Sequence, residues 1–139
     1  MEKTFILDSR PQTLVEKLKI MDKFKFEDLN VYQKSLDFVD SVYLQIKEFP
    51  KSEIYNLSSQ FRRAATSIPL NIAEGQGNTN SQFNRFVMIA KSSINECVVC
   101  NTIAKRQNYI SDQDFKKNRN ELLELSKMLT KLSQYLKSQ

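Results

Sequence analysis

Two cysteines, Cys97 and Cys100, stand in a C-x-x-C spacing. A redox pair with that spacing relies on a helix N-terminus to lower the thiol pKa. A zinc site uses it as one half of a four-ligand set. Here the pair falls in the middle of a helical pattern, with no second cysteine pair and no histidine anywhere in the chain. Its expected role is that of two small apolar side chains in a core. Glu74 and Glu96 fall on different helices and are able to approach each other. Paired carboxylates can transfer protons, and in helical bundles they can hold metals, but the di-metal pattern there needs Glu-x-x-His. Glu74 is expected instead to cap its own chain turn or to pair with an arginine such as Arg63. Ser58, Ser59, Thr66, Ser67, Ser92 and Ser93 have no base in a triad pattern. They read as small residues that let helices approach closely. Gly75-Gln-Gly77 lacks the lysine and the preceding strand of a phosphate loop. No catalytic residue, cofactor or metal is expected, and the chain reads as a non-enzyme.

Phosphate chemistry is the remaining possibility. The chain has 21 basic and 16 acidic residues, a net charge of +5. Residues 25–48 are net −2, residues 79–110 are net +3, and residues 111–139 carry six bases against four acids. Arg62 and Arg63 form an adjacent basic pair. The candidate phosphate contacts are Arg62, Arg63, Arg85, Lys91, Lys105, Arg106, Lys116 and Lys117. The same residues also describe a solvated basic face. No aromatic platform interleaves them, which argues against single-strand binding by base stacking.

Helical periodicity must position these groups. The stretch LSSQFRRAATSIPLNIAEGQG (57–77) holds both glycines of the chain. Ile54, Leu57, Phe61, Ala64 and Ile68 make a three–four apolar stripe, and the next position in the series is the polar Asn71. Pro69 lies inside this helix, expected over about residues 52–74. It removes the amide bond to the Ala65 carbonyl and should bend the helix, or split it into two collinear pieces. Asn71 is expected either to satisfy the freed carbonyl or to set register against a neighbour. Gly75 is expected to end the helix in the left-handed conformation. Helix one is expected over residues 30–47, capped by Asp28 or Asn30 and ended by Pro50. Its main row is Leu29, Tyr32, Leu36, Val39, Tyr43 and Ile46; a second row is Val31, Phe38, Val42 and Phe49. Helix three starts with a Thr79–Gln82 capping box and carries Phe83, Val87, Ala90, Ile94, Cys97, Asn101 and Ala104, with Asn108 as its stop. Helix four is capped by Ser111 and carries Phe115, Asn118, Leu122, Leu125, Leu129, Leu132 and Leu136. Nothing reads as strand.

Four helices with short connections make an all-α, antiparallel up-down-up-down bundle over residues 25–139. Residues 1–24 read as a flexible extension, with Met21 as an alternative start. No apolar run approaches the roughly 20 residues of a membrane span. The N-terminus lacks the apolar core of a signal peptide. A cytoplasmic location and no membrane partner are expected. Two apolar rows on helix one exceed what a lone bundle buries, so a homo-oligomer is expected.

The segments FEDLNVYQKS (26–35), SSQFRRAATSIPLNIAEGQG (58–77) and NSQFNRFVMIAKSSINE (80–96) resemble one family. It is the four-helix-bundle family first noted in intervening sequences of bacterial 23S ribosomal RNA genes. The resemblance covers about residues 26–137 and leaves out the N-terminal extension. It implies assembly into a ring of about five subunits. A related branch, the accessory proteins of diversity-generating retroelements, is similar in fold and binds nucleic acid beside a reverse transcriptase. The resemblance therefore implies structured RNA or DNA, and a nucleic-acid enzyme, as partners. Arg62, Arg63, Asn71 and Glu74 fall in its pattern in structural or functional roles. A protein-binding adaptor with no nucleic-acid role is the alternative reading.

Overall fold

A computed structural model describes residues 22–139, together with Thr13 and Leu14. The rest of the expected extension, residues 1–12 and 15–21, lies outside the described residues. Four helices make up the bundle among the described residues: α1 Asn30–Ile46, α2 Leu57–Gly75, α3 Asn80–Arg106 and α4 Asp112–Ser138. There is no strand among the described residues. Successive helices pack on each other, and α1 closes the cycle against α4. This is the expected up-down-up-down bundle.

The helix ends show why the chain folds this way locally. Thr79 accepts a hydrogen bond from the Gln82 amide at 3.2 Å, and Ser111 accepts one from the Asp114 amide at 3.0 Å. Each satisfies a donor that its helix leaves unpaired. Asn108 stops α3 as expected, at φ 62°. The Asn108 amide donates to Lys105 O at 3.0 Å and the Tyr109 amide to Ala104 O at 2.8 Å. That double bond pattern is a Schellman closure.

Other local expectations are corrected. The residue before α1 is Leu29, with no side-chain cap; neither Asp28 nor Asn30 serves. After Pro50 the chain makes a 3-10 turn over Lys51–Glu53, and Asn56 leaves helical geometry at φ −117°, ψ −108°. So α2 starts at Leu57 rather than near residue 52, and Ile54 drops off its stripe into solvent. The helix runs unbroken through Pro69. Asn71 is half-buried, and its Nδ2 donates to Ser67 O at 2.8 Å and Ser67 Oγ at 2.9 Å, not to the carbonyl of Ala65. The left-handed glycine is Gly77, at φ 94°, two residues past Gly75. Gly75 is buried inside α2, where a Cβ would meet Phe83 Cδ1 at 2.7 Å and Phe86 Cβ at 2.9 Å. Its role is close approach of α2 to α3.

The core runs the length of the bundle. The Phe38 and Phe61 rings lie 6.4 Å apart, both fully buried, and belong to one core with the fully buried Ile68, Ile72, Val87, Leu122 and Leu129. All seven expected positions of α3 are buried. On α1 the order of the two rows is reversed. Val31, Phe38, Val42 and Phe49 are buried, whereas Leu29, Tyr32, Leu36, Val39 and Ile46 are half-buried and Tyr43 is exposed.

A chain of amides crosses this core. Gln45 Nε2 donates to Asn118 Oδ1 at 2.9 Å, and Asn118 Nδ2 donates to Gln45 Oε1 at 2.7 Å and Asn101 Oδ1 at 2.9 Å. Asn101 Nδ2 then donates to Phe115 O at 3.1 Å. Three helices are joined by groups that burial makes costly to leave unpaired. The α1–α4 seam has a different character. Lys34 pairs with Glu124 at 2.6 Å beside Asp37 and Glu121, around a 90 Å³ cleft. Glu121 Oε2 is buried there without a hydrogen-bond partner among the described residues. Burial raises the Glu121 pKa, Lys117 opposes the rise, and Asp37 and Glu124 add to it.

Two outcomes follow from these contacts. Asn118→Leu strands both Gln45 and Asn101 and should lower unfolding free energy by about 2–3 kcal/mol in denaturant titration. A loss below about 0.5 kcal/mol would show that the relay carries no stability. The second concerns pH. A raised native pKa means the charged carboxylate is worse off in the fold than in the unfolded chain. The cost is full above the native pKa and fades as acid protonates the group. Glu121→Gln should therefore raise the melting temperature at neutral pH, with a gain that vanishes toward about pH 4. A gain that stays constant across that range would assign it to packing rather than ionisation.

Candidate nucleic-acid interface

Helix α4 divides its charges between its two edges. Lys91 Nζ donates to Thr130 Oγ1 at 2.8 Å, and Ser133 Oγ donates to Asn84 Oδ1 at 2.6 Å, which marks the edge facing α3. Lys116, Arg119, Lys127, Thr130 and Lys137 recur along that edge at helical spacing; the four basic residues are exposed. The edge facing α1 holds Asp114, Glu121 and Glu124, with Lys117 and Lys131 in the same row. Asp112 is the acid on the basic edge: Lys116 pairs with it at 3.0 Å. The Lys116 bond, with Lys105 as a smaller contributor, holds the Asp112 carboxyl below its ordinary pKa. Across the groove, Lys91 and Lys105 fall on the α4-facing edge of α3 at the same spacing, and Arg106 flanks them. From Lys116 to Lys137 the row is about 32 Å long.

The structure thus brings Lys91, Lys105, Arg106 and Lys116 to one face, the outer face of α3 and α4. It sends the other four candidates elsewhere. Lys117 belongs to the acidic side, acting on Glu121. Arg63 is exposed on the outer face of α2 and α3, in a cleft with Glu53 and Glu96. Arg85 is on that same face nearer the turn, beside Gln82, Phe86 and Ile89. Arg62 is half-buried on the side of α2 away from α3. The residues missed were Arg119, Lys127 and Lys137. Their signal was available in the row 116, 119, 123, 127, 130, but charge counted by segment conceals charge sorted by face.

The groups first considered for chemistry are not arranged for it. Cys97 and Cys100 are buried free thiols. Burial pushes the Cys100 thiol up to about 11 and raises Cys97 further, away from the reactive thiolate. Glu74 and Glu96 do not meet. The Ser93 Oγ–Ser67 Oγ hydrogen bond of 2.8 Å sets the α2–α3 register. Glu74 lies seven residues toward the turn from Ser67, and Glu96 three residues away from it past Ser93. That separates them by about 15 Å along the axis. Nor does Glu74 pair with Arg63: it forms no ion pair among the described residues, and its carbonyl accepts from Asn78 Nδ2 at 2.8 Å.

Residues 27–131 match the sequence profile of the 23S rRNA-intervening sequence proteins. A crystal structure of a protein of unknown function from the S23 ribosomal protein family of Bacteroides thetaiotaomicron VPI-5482 superposes with a TM-score of 0.69 at 27% identity. The match covers 74% of this chain and 97% of that one. No curated protein matches the chain. No described helix is long and apolar enough to cross a membrane. With a matched profile spanning α1 to most of α4, and the same bundle in a relative, the chain belongs to the 23S rRNA-intervening sequence protein family.

Proposed function

We propose that the protein is a non-enzymatic, self-associating scaffold that binds RNA or DNA through its phosphates, using the outer face of α3 and α4. The observation that carries this reading is the division of charge across α4. On the α3 side Lys116, Arg119, Lys127 and Lys137 stand against the single acid Asp112, while on the α1 side Asp114, Glu121 and Glu124 outnumber Lys117 and Lys131. A solvated helix has no need to sort its charges in this way, whereas a polyanion rewards it. The face offers long, flexible cations rather than stacking aromatics, which suits backbone contact without base reading. The family name refers to segments within 23S rRNA genes and is consistent with a role near RNA. Self-association, including the ring of about five that the resemblance implies, would present the face more than once and convert weak contacts into avidity. A location in the cytoplasm, beside a nucleic-acid enzyme or a ribonucleoprotein, fits the same reading.

The test is a mobility shift with structured RNA and with duplex DNA at two salt concentrations. Affinity should fall by about a hundredfold or more between about 50 and 200 mM salt, because each neutralised phosphate releases a counterion. The double variant Arg119→Ala/Lys127→Ala should weaken binding to all sequences and reduce the salt slope by about 2. Lys117→Ala, on the acidic side, should leave both unchanged. No shift with micromolar protein at about 50 mM salt rejects the proposal in favour of a protein-binding adaptor. Equal losses for the two variants reject the assigned face.

A further inference from the structure

The cations of the α3–α4 face are not spread evenly along it. The Lys91–Thr130 bond sets the register of the two helices. Lys105 lies fourteen residues from Lys91, and Lys116 fourteen from Thr130. The two helices run antiparallel, so both lysines stand at one level, about 21 Å from that bond and beside the α3–α4 turn. Arg106 and Arg119 fall within about 5 Å of the same level. Lys127, with Lys91, makes a thinner group about 16–21 Å away. The turn end is therefore the densest stretch of positive charge on this face.

That stretch also holds the acid of this edge. Asp112 is the first residue of α4, next to the Ser111 cap. Lys116 Nζ donates to Asp112 Oδ2 at 3.0 Å. Lys105 attracts the same carboxylate from α3 and helps hold it in the charged form. One carboxylate thus meets cations of both helices, in the place where a phosphate would meet them. The fold has little need of this contact. The two side chains are 70% and 62% exposed, and exposed pairs add little stability. A negative charge in the first turn suits the helix dipole. The dipole does not choose an edge, however, and Asp114 supplies the same charge from the α1 side.

We infer that Asp112 is a brake on the phosphate-binding face: its carboxylate occupies Lys116, with Lys105 beside it, in place of a phosphate. The inference rests on the reading above and names what sets the strength of that site. With the brake in place, Arg119, Lys127 and Lys137 act at full charge, and the turn end contributes less than its cations could. Replacing the carboxylate by an uncharged group of the same shape frees about one phosphate contact. Binding then tightens and its salt dependence steepens, because each added phosphate contact releases a further counterion. A mere rise in net charge acts alike wherever an acid is removed.

Mobility shifts of the full chain with duplex DNA and structured RNA, at about 50 and 200 mM salt, test it. Asp112→Asn should bind about fivefold tighter than the wild type at the lower salt and less than about twofold tighter at the higher, a slope steeper by about 1. Asp114→Asn makes the same change of net charge on the α1 edge and should gain less than about twofold. Lys116→Ala should cost several-fold more in the Asp112→Asn background than in the wild type, and the double variant should bind no tighter than Lys116→Ala alone. Both Asn variants should melt within about 4 °C of the wild type. Equal gains for Asp112→Asn and Asp114→Asn would overturn the inference, and so would a gain that survives Lys116→Ala. No shift by the wild type at the lower salt rejects the phosphate reading and this inference with it. A wild type that binds, beside an Asp112→Asn that binds no tighter, rejects the brake and leaves that reading standing.

Discussion

The buried amide relay from Gln45 through Asn118 to Asn101 is the constraint that the remaining structure obeys. Leucine and phenylalanine can slide past one another by a helical turn at modest cost, since apolar contact has no direction. Amides cannot: a shifted register would leave donors and acceptors unpaired in a dry core, at about 1–3 kcal/mol each. Because Asn118 bonds to both α1 and α3, one residue of α4 sets the height of three helices. The Ser67–Ser93 bond does the same between α2 and α3. Once these levels are set, the surface rows have no freedom left. Lys91 reaches Thr130 and Lys34 reaches Glu124 because the interior registers place them together.

That consequence reaches the surface charge. With the relay in place, α4 turns one edge toward α3, where bases outnumber acids, and the other toward α1, where Asp114, Glu121 and Glu124 outnumber Lys117 and Lys131. The acidic edge is poorly satisfied. Glu121 keeps an unpaired oxygen beside Asp37 and Glu124, and Lys34 is the cation bonded there. A seam that retains mutual repulsion contributes little to stability, and α1 meets α4 more thinly than α2 meets α3. The basic edge accumulates charge with a single acid, Asp112, to offset it. Both edges depart from what stability alone would favour, and such departures concentrate where function is located.

The fold was legible because its strongest signals are local and redundant. Every expected core position of α3 is buried, and Thr79, Ser111 and Asn108 bound their helices as their side chains dictate. Three failures share a different cause. The two rows of α1 have equal periodicity, and periodicity cannot say which of them meets α2 and α4 first. Gly75 and Gly77 are two residues apart, and no local rule distinguishes a glycine needed for φ from one needed for space. Asn71 bonds one turn back to Ser67, a local choice that a polar residue on an apolar stripe does not reveal. The basic face was half legible. Lys91, Lys105, Arg106 and Lys116 could be named from charge balance, but Arg119, Lys127 and Lys137 emerge only once the helix is wound and its edges are assigned.

Helix α3 meets three different environments around its circumference. Its circumference is divided into three sectors: the buried stripe from Phe83 to Ala104, an edge toward α2 bearing Arg85, Ile89 and Glu96, and an edge toward α4 bearing Lys91 and Lys105. In a square bundle, adjacent outer faces point about a right angle apart. The cations beside α4 and the exposed apolar side chains beside α2 therefore stand on separate surfaces, and a substitution of an exposed side chain on one leaves the other in place.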